Sequence, residues 1–333
     1  MSRILKLLPV LMAGALAACG GVSIGAGGSS GGVGIGGAMG ESRTKYTRDI
    51  DEWHEGRLRR LKADDGWLTL VGLFPLPNGT HTFGSAKDNE LIFPAGSPEH
   101  GGTLVVEDTT VTLTPATGVT MDEVVRSPEG KVTLDGVPGA MALKSDRSGP
   151  PSKIQMGSIQ FYVIDRPGSM YLRVKDANSP VRKNFKGIDR YPVTKKWLFD
   201  ATFERYNPPR MIKVANVLGY EENVQCPGVV AFEKDGKTYR LEALSLDEGE
   251  LEIIYGDATS GHTTYGGGRF IYVAVPEEGD QTVIDFNKSY NPPCVFTEFA
   301  TCPIPSRENI LPFKVEAGEK MYGDPVHHSG TSQ

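Results

Sequence analysis

Gly102-Thr-Leu-Val-Val-Glu-Asp108-Thr-Thr-Val-Thr-Leu-Thr114 carries the clearest structural signal in the chain. Two runs rich in Val, Leu and Thr flank Asp108, and the second, Thr110–Thr114, alternates branched apolar with polar residues. That alternation is the mark of a half-buried strand, and an acidic turn residue between two such runs marks a hairpin. Outward from this pair the same unit recurs. Gly79–Gly84, Glu90–Phe93, Lys131–Leu134, Ser158–Asp165 and Met170–Lys175 are further strands, each bounded by Gly, Pro, Asn or Asp. Trp67–Phe74 reads as a buried strand that Pro75, Pro77, Asn78 and Gly79 turn. Beyond a basic loop at Ser179–Gly187 come Trp197–Arg205, Met211–Leu218, Gly228–Glu233, Lys237–Leu244, Glu250–Tyr255, Arg269–Val275 and Thr282–Asp285. Asp235-Gly236 lies between Phe232 and Tyr239 as a hairpin turn. Short strands about ten residues apart, with no βαβ alternation, predict a β-dominated body of sandwich or barrel type.

One helix is expected, over Thr47–Lys62. Thr47 is read as its cap and Asp49 suits its first turn. Ile50, Trp53, Leu58 and Leu61 share a face, and Arg57, Arg59, Arg60 and Lys62 load the C-terminal end, where the macrodipole favours cations. His54 falls on the polar side and is read as solvated.

The first residues are a leader. Arg3 and Lys6 precede an apolar run, Leu7–Ala18, too short to span a hydrocarbon core of about 30 Å as a helix. The run closes on Leu16-Ala17-Ala18-Cys19, which resembles a bacterial lipobox and marks Cys19 for lipidation. The expected partner of Cys19 is thus a lipid bilayer, which its acyl chains would enter. Gly20 follows with no adjacent Asp, so the outer membrane is expected over the inner one in a Gram-negative envelope. After residues 1–18 comes a Gly/Ser-rich tether, 19–45, with a root-mean-square reach of roughly 25 Å for twenty residues of Gly-rich coil. The body is expected in two β-rich parts, 46–186 and 187–322, before a polar tail, 323–333. The 35 Lys and Arg stand against 41 Asp and Glu, and losing Arg3 and Lys6 with the leader takes the formal charge from −6 to −8. Bulk attraction to nucleic acid is excluded on that balance.

Chemistry-bearing residues concentrate in Tyr255–Lys320. In the Gly-rich loop, Asp257, Thr259, Ser260, Thr263 and Tyr265 are candidate ligand contacts, and Arg269 is the candidate clamp for a carboxylate or phosphate. The same residue types also close tight turns, with Arg269 buttressing the loop against Asp257 or Asp285. Asp285, Asn287, Tyr290 and Asn309 extend the candidate set, with Tyr265, Phe286, Tyr290 and Phe296 as an aromatic lining. Pro292, Pro293, Pro303 and Pro305 make this last segment a rigid loop wall. Cys294 and Cys302 are spaced for a short disulfide loop, with two free thiols or a bridge to Cys226 as alternatives. No metal-ligand spacing, cofactor motif or G-x-S-x-G is present.

Gly66-Trp-Leu-Thr-Leu-Val-Gly-Leu-Phe74, Arg190-Tyr-Pro-Val193, the 257–269 loop, Asp285–Cys294, Thr301–Asn309 and Ala317-Gly-Glu-Lys320 together resemble the bacterial DUF1684 family. The resemblance spans roughly 46–322 and is densest from 187 onward. It implies secretion or lipid anchoring for many members and names no catalytic residue. The reading is an envelope lipoprotein that binds a small polar or anionic ligand, or another envelope component. A hydrolase using residues 257–309 and a scaffolding lipoprotein are the alternatives.

Overall fold

The computed structural model describes residues 44–124, 132–133, 140–245 and 249–323. The leader, Cys19, most of the tether and the tail beyond residue 323 lie outside the described residues. So do Lys131 and Leu134, the ends of one expected strand.

The expected helix is α1, Lys45–Leu61, and its cap is Thr44 rather than Thr47. Thr44 is extended, and its hydroxyl accepts the Thr47 N–H at 3.2 Å, which satisfies one of the orphan donors of the first turn. The chain then turns at Gly66, where a Cβ would lie 2.3 Å from the Leu61 carbonyl oxygen, so only glycine fits. Trp67–Thr69 form one helical turn and not strand, and the strand proper is β1, Leu70–Pro75.

The hairpin that anchors the sequence reading is present as β4, Gly102–Glu107, and β5, Thr110–Pro115. Asp108 takes a positive φ of 53° at its turn. These strands belong to a five-stranded sheet with β2 (Gly79–Gly84), β3 (Leu91–Ile92) and β8 (Met141–Leu143). Facing it is a six-stranded sheet in which β1 pairs β11 (Ser169–Asp176), then β10 (Ile159–Arg166), β9 (Lys153–Met156), β6 (Asp122–Val124) and β7 (Val132–Thr133) follow. The inward faces of both sheets share one core, with Phe83, Leu104, Leu113, Phe161, Leu172 and Val174 inside. This half is a sandwich.

The second half is a barrel-like sheet of β12 to β17. Two expected strands are one, β12 (Leu198–Ala215), which pairs β13 (Glu221–Lys234) with a register break between Arg205 and Arg210. The break falls at Tyr206-Asn-Pro-Pro, where two prolines have no N–H to give a ladder. β14 (Lys237–Ser245) follows across Asp235-Gly236, both with positive φ, as the hairpin signal requires. β15 (Glu250–Tyr255) and β16 (Arg269–Ala274) continue the sheet, and β17 (Gln281–Asp285) returns to pair β12 on the other edge. The Thr282 hydroxyl donates to the Ala274 carbonyl at 2.9 Å, which nearly closes the ring of strands. Phe286, just after β17, fills the interior against Trp197, Phe199, Phe232 and Tyr255.

The basic loop at 179–187 contains a short helix, α2 (Pro180–Asn184), capped by Ser179. Residues 286–323 form the expected irregular wall. Among the described residues no helix is long and apolar enough to cross a membrane.

Candidate functional site

The Gly-rich loop is built as a buried knot. Arg269 is 1 % exposed, and its Nη2 donates to Asp257 Oδ2 at 2.6 Å and to the Val315 carbonyl at 2.9 Å. Its Nη1 donates to the Ala317 carbonyl. Asp257 Oδ1 accepts both the N–H and the hydroxyl of Thr259, which also contacts the Thr264 hydroxyl at 2.8 Å. Ser260 Oγ accepts the Asp257 N–H, and exposed Thr263 meets the Tyr191 hydroxyl at 2.6 Å. Of its two readings Arg269 takes the buttress, against Asp257: the C-terminal chain also brings it carbonyls that local sequence does not reveal.

Other candidates are equally committed. Asp285 accepts the Tyr46 hydroxyl at 3.0 Å and the Asn287 N–H at 3.0 Å. Asn287 accepts the Thr194 N–H at 3.1 Å. Asn309 accepts the Glu242 N–H at 2.7 Å and donates to the carbonyls of Glu242 and Ile254, clipping β14 to β15. Cys294 and Cys302 are free thiols in contact, with the Cys294 N–H donating to Cys302 Sγ at 3.1 Å. The hydrogen bond from Cys302, and a second from Tyr265, hold the Cys294 thiol below its ordinary range. Cys226 is buried, and its thiol donates to the Gly228 carbonyl at 3.2 Å. Of the candidate ligand contacts, Tyr290 lines a well-formed cavity, together with Cys302.

That cavity, of about 570 Å³, lies beneath α1. Four elements wall it: Trp53, Arg57 and Arg60 of α1; the turn with Asp65 and Trp67; Arg166 and Arg173 of the sandwich; and Glu252, Phe270 and Tyr272 at the barrel edge. Asn291, Pro293, Thr301 and Pro303 of the irregular wall close it. α1 is held over the space by Glu319, which accepts Arg57 Nε at 2.6 Å and the Asn291 N–H at 2.7 Å. His54 also lies against Glu319, at 3.8 Å. It is buried, not solvated as its place in the helix pattern suggested, and burial lowers its pKa.

The cavity's charge is uneven. Arg173, 5 % exposed, donates from Nη2 to Thr301 Oγ1 at 3.1 Å, and its guanidinium lies 5.3 Å from the Trp67 ring. Its buried Nε has no hydrogen-bond partner. Two residues on, Lys175 is 7 % exposed and donates to the Asp65 carbonyl at 2.5 Å. Desolvation brings its pKa down to about 8. Among the described residues neither cation has a carboxylate within ion-pair distance. Opposite them, Glu252 accepts the Tyr290 hydroxyl at 3.3 Å, and burial pushes its carboxyl up. Tyr290 packs on Tyr272 at 5.3 Å and on Trp53 at 6.5 Å, with the Arg57 guanidinium 4.4 Å from its ring. The arrangement suits an anion that also presents a flat or apolar face.

Arg173, Glu252, Tyr272, Asn291 and the α1 residues did not stand out in sequence. The one available signal was Arg173 and Lys175 alternating with Leu172 and Val174, two cations on the face of β11 that the pattern assigns to solvent.

Among solved structures, an uncharacterized protein of Haloarcula marismortui determined by solution NMR is 25% identical over 42% of this chain and 78% of its own, with a TM-score of 0.36. No curated protein matches the chain. Residues 183–320, which supply Glu252, Phe270, Tyr272 and Tyr290 to the cavity, match the model of DUF1684, described as a protein of unknown function.

Proposed function

We propose that this protein is a lipid-anchored envelope protein that holds a small anionic ligand in the cavity beneath α1. The carrying observation is Arg173: a buried guanidinium with an unpartnered Nε, lining a cavity of ligand size. A buried cation without a counter-charge is costly, and an oxyanion seated on it offsets that cost. Lys175 beside it, and Arg60 on the cavity wall, add attraction of the same sign. The guanidinium fork favours planar or tetrahedral oxyanions over halide.

A thermal-shift screen of the full chain against small carboxylates and phosphates tests the reading. An anion present at a hundredfold its dissociation constant stabilises by about 2.7 kcal/mol. Arg173→Met is expected to abolish that shift while leaving the unliganded melting temperature within a few degrees. An anion shift that survives Arg173→Met, or none across the set, sinks the cavity as an anion site.

The anchoring part rests on Leu16–Cys19. Cells fed an alkyne-tagged fatty acid are expected to label the wild type and not Cys19→Ala; an unlabelled wild type contradicts it. The outer membrane is the proposed location, on the absence of Asp after Cys19.

A further inference from the structure

Resting on the anion-site reading above, we propose that the ligand is an acidic saccharide, a sugar ring bearing a carboxylate or phosphate, with its acid group on Arg173 and its hydroxyls towards Asn291 and Glu252. The ligand class follows from what the cavity leaves unanswered. Two of the residues that line it each carry a buried polar atom without a partner, and the two are of opposite kind: Arg173 Nε is a donor and Asn291 Oδ1 is an acceptor. The orientation of Asn291 is settled by its other end, since Nδ2 donates to the Lys320 carbonyl at 2.7 Å. The free atom of that fully buried side chain is therefore its oxygen.

A simple oxyanion brings acceptors for Arg173 and nothing for Asn291. An aromatic acid does the same. A neutral sugar brings hydroxyl donors, yet no charge for Arg173, which has no carboxylate within ion-pair distance among the described residues, whereas Arg57 and Arg166 on the same wall are paired with Glu319 and Asp146. A sugar acid or sugar phosphate supplies both an acid group and donors. Glu252 adds capacity on the same side: the Tyr290 and Tyr272 hydroxyls occupy two of the roughly four lone-pair sites of a carboxyl group, and ligand hydroxyls suit the remainder. The rings of Trp53, Phe270, Tyr272 and Tyr290 offer apolar faces for the C–H side of a pyranose. The volume of about 570 Å³ admits one or two sugar rings and falls within the usual ligand range of roughly 300–1,000 Å³.

Calorimetric titration of the full chain with five probes separates this proposal from the reading beneath it. The probes are glucuronate, glucose 1-phosphate, glucose, benzoate and inorganic phosphate. At least one acidic sugar is expected to bind tenfold or more tighter than glucose, benzoate and phosphate. Glu252→Gln is expected to weaken it several-fold while leaving phosphate unchanged. Tyr272→Phe keeps a ring 41 % exposed and removes the hydroxyl that Glu252 accepts, so it repeats the test of that carboxyl without burdening the fold. Benzoate or phosphate binding as tightly as both acidic sugars, and lost in Arg173→Met, overturns the saccharide class and leaves the anion site standing. Acidic-sugar affinity indifferent to both Glu252→Gln and Tyr272→Phe overturns the placement of the hydroxyls. Silence from all five probes overturns both readings.

Discussion

Arg269 and Arg173 carry the same guanidinium to opposite ends. Arg269 follows three glycines in a loop that invites a ligand, yet it is locked to Asp257 and to carbonyls of the C-terminal segment. Arg173 sits in an ordinary strand and retains a buried, unpartnered nitrogen on a cavity. Local sequence cannot separate these cases, because a glycine-rich loop admits a ligand or a returning chain equally well. The acceptors that decide Arg269 lie some fifty residues away, at Val315 and Ala317. Removing Arg269 strands Asp257 as an uncompensated buried charge. Arg269→Met is therefore expected to cost about 3–5 kcal/mol of stability, measured by urea denaturation, with ligand affinity of the folded fraction unchanged. A stable variant that loses binding would return Arg269 to the ligand site.

β11 shows how an element can be legible on one face only. Leu172 and Val174 alternate into the sandwich core, which is the pattern that called the strand. Arg173 and Lys175 point the other way, and their burial comes from Trp67 and the turn after α1, a cover that period-two alternation does not encode. Lys175 faces Asp65, Lys153 and Arg173, and burial brings its pKa down to about 8. The sign follows from linkage. Between pH 8 and the unfolded value near 10.5 the unfolded chain binds more protons at this site, so stability rises with pH in that window. Below pH 8 the cost of the buried ammonium is fully present. From pH 7.5 to 9.5, wild type is expected to gain roughly 2 kcal/mol relative to Lys175→Met in urea unfolding. Parallel pH profiles for the two proteins would mean that Lys175 is not desolvated. α1 was equally half-legible: its apolar stripe predicted a helix, while the ties that hold it down, Arg57 and His54 on Glu319, join residues more than 260 positions apart.

At the scale of the molecule, many short strands between turn residues were enough to predict a β-dominated body, because period and punctuation are local properties. Which strands meet is not local: β1 pairs β11 and β12 pairs β17 across most of each half. The cavity belongs to that second category. Its cation comes from β11, outside the matched family region of 183–320, while Glu252, Tyr290, Asn291 and Thr301 come from within it. The motifs that dominate the C-terminal half largely bury and satisfy one another, as a scaffold's would, and the open chemistry gathers where that half meets α1 and the sandwich. The most direct test is a crystal structure of the protein soaked with glucuronate. Density is expected in the cavity beneath α1, with carboxylate oxygens within hydrogen-bond distance of Arg173 Nε and a hydroxyl on Asn291 Oδ1. An empty cavity, or a ligand seated on the 257–269 loop, would contradict it.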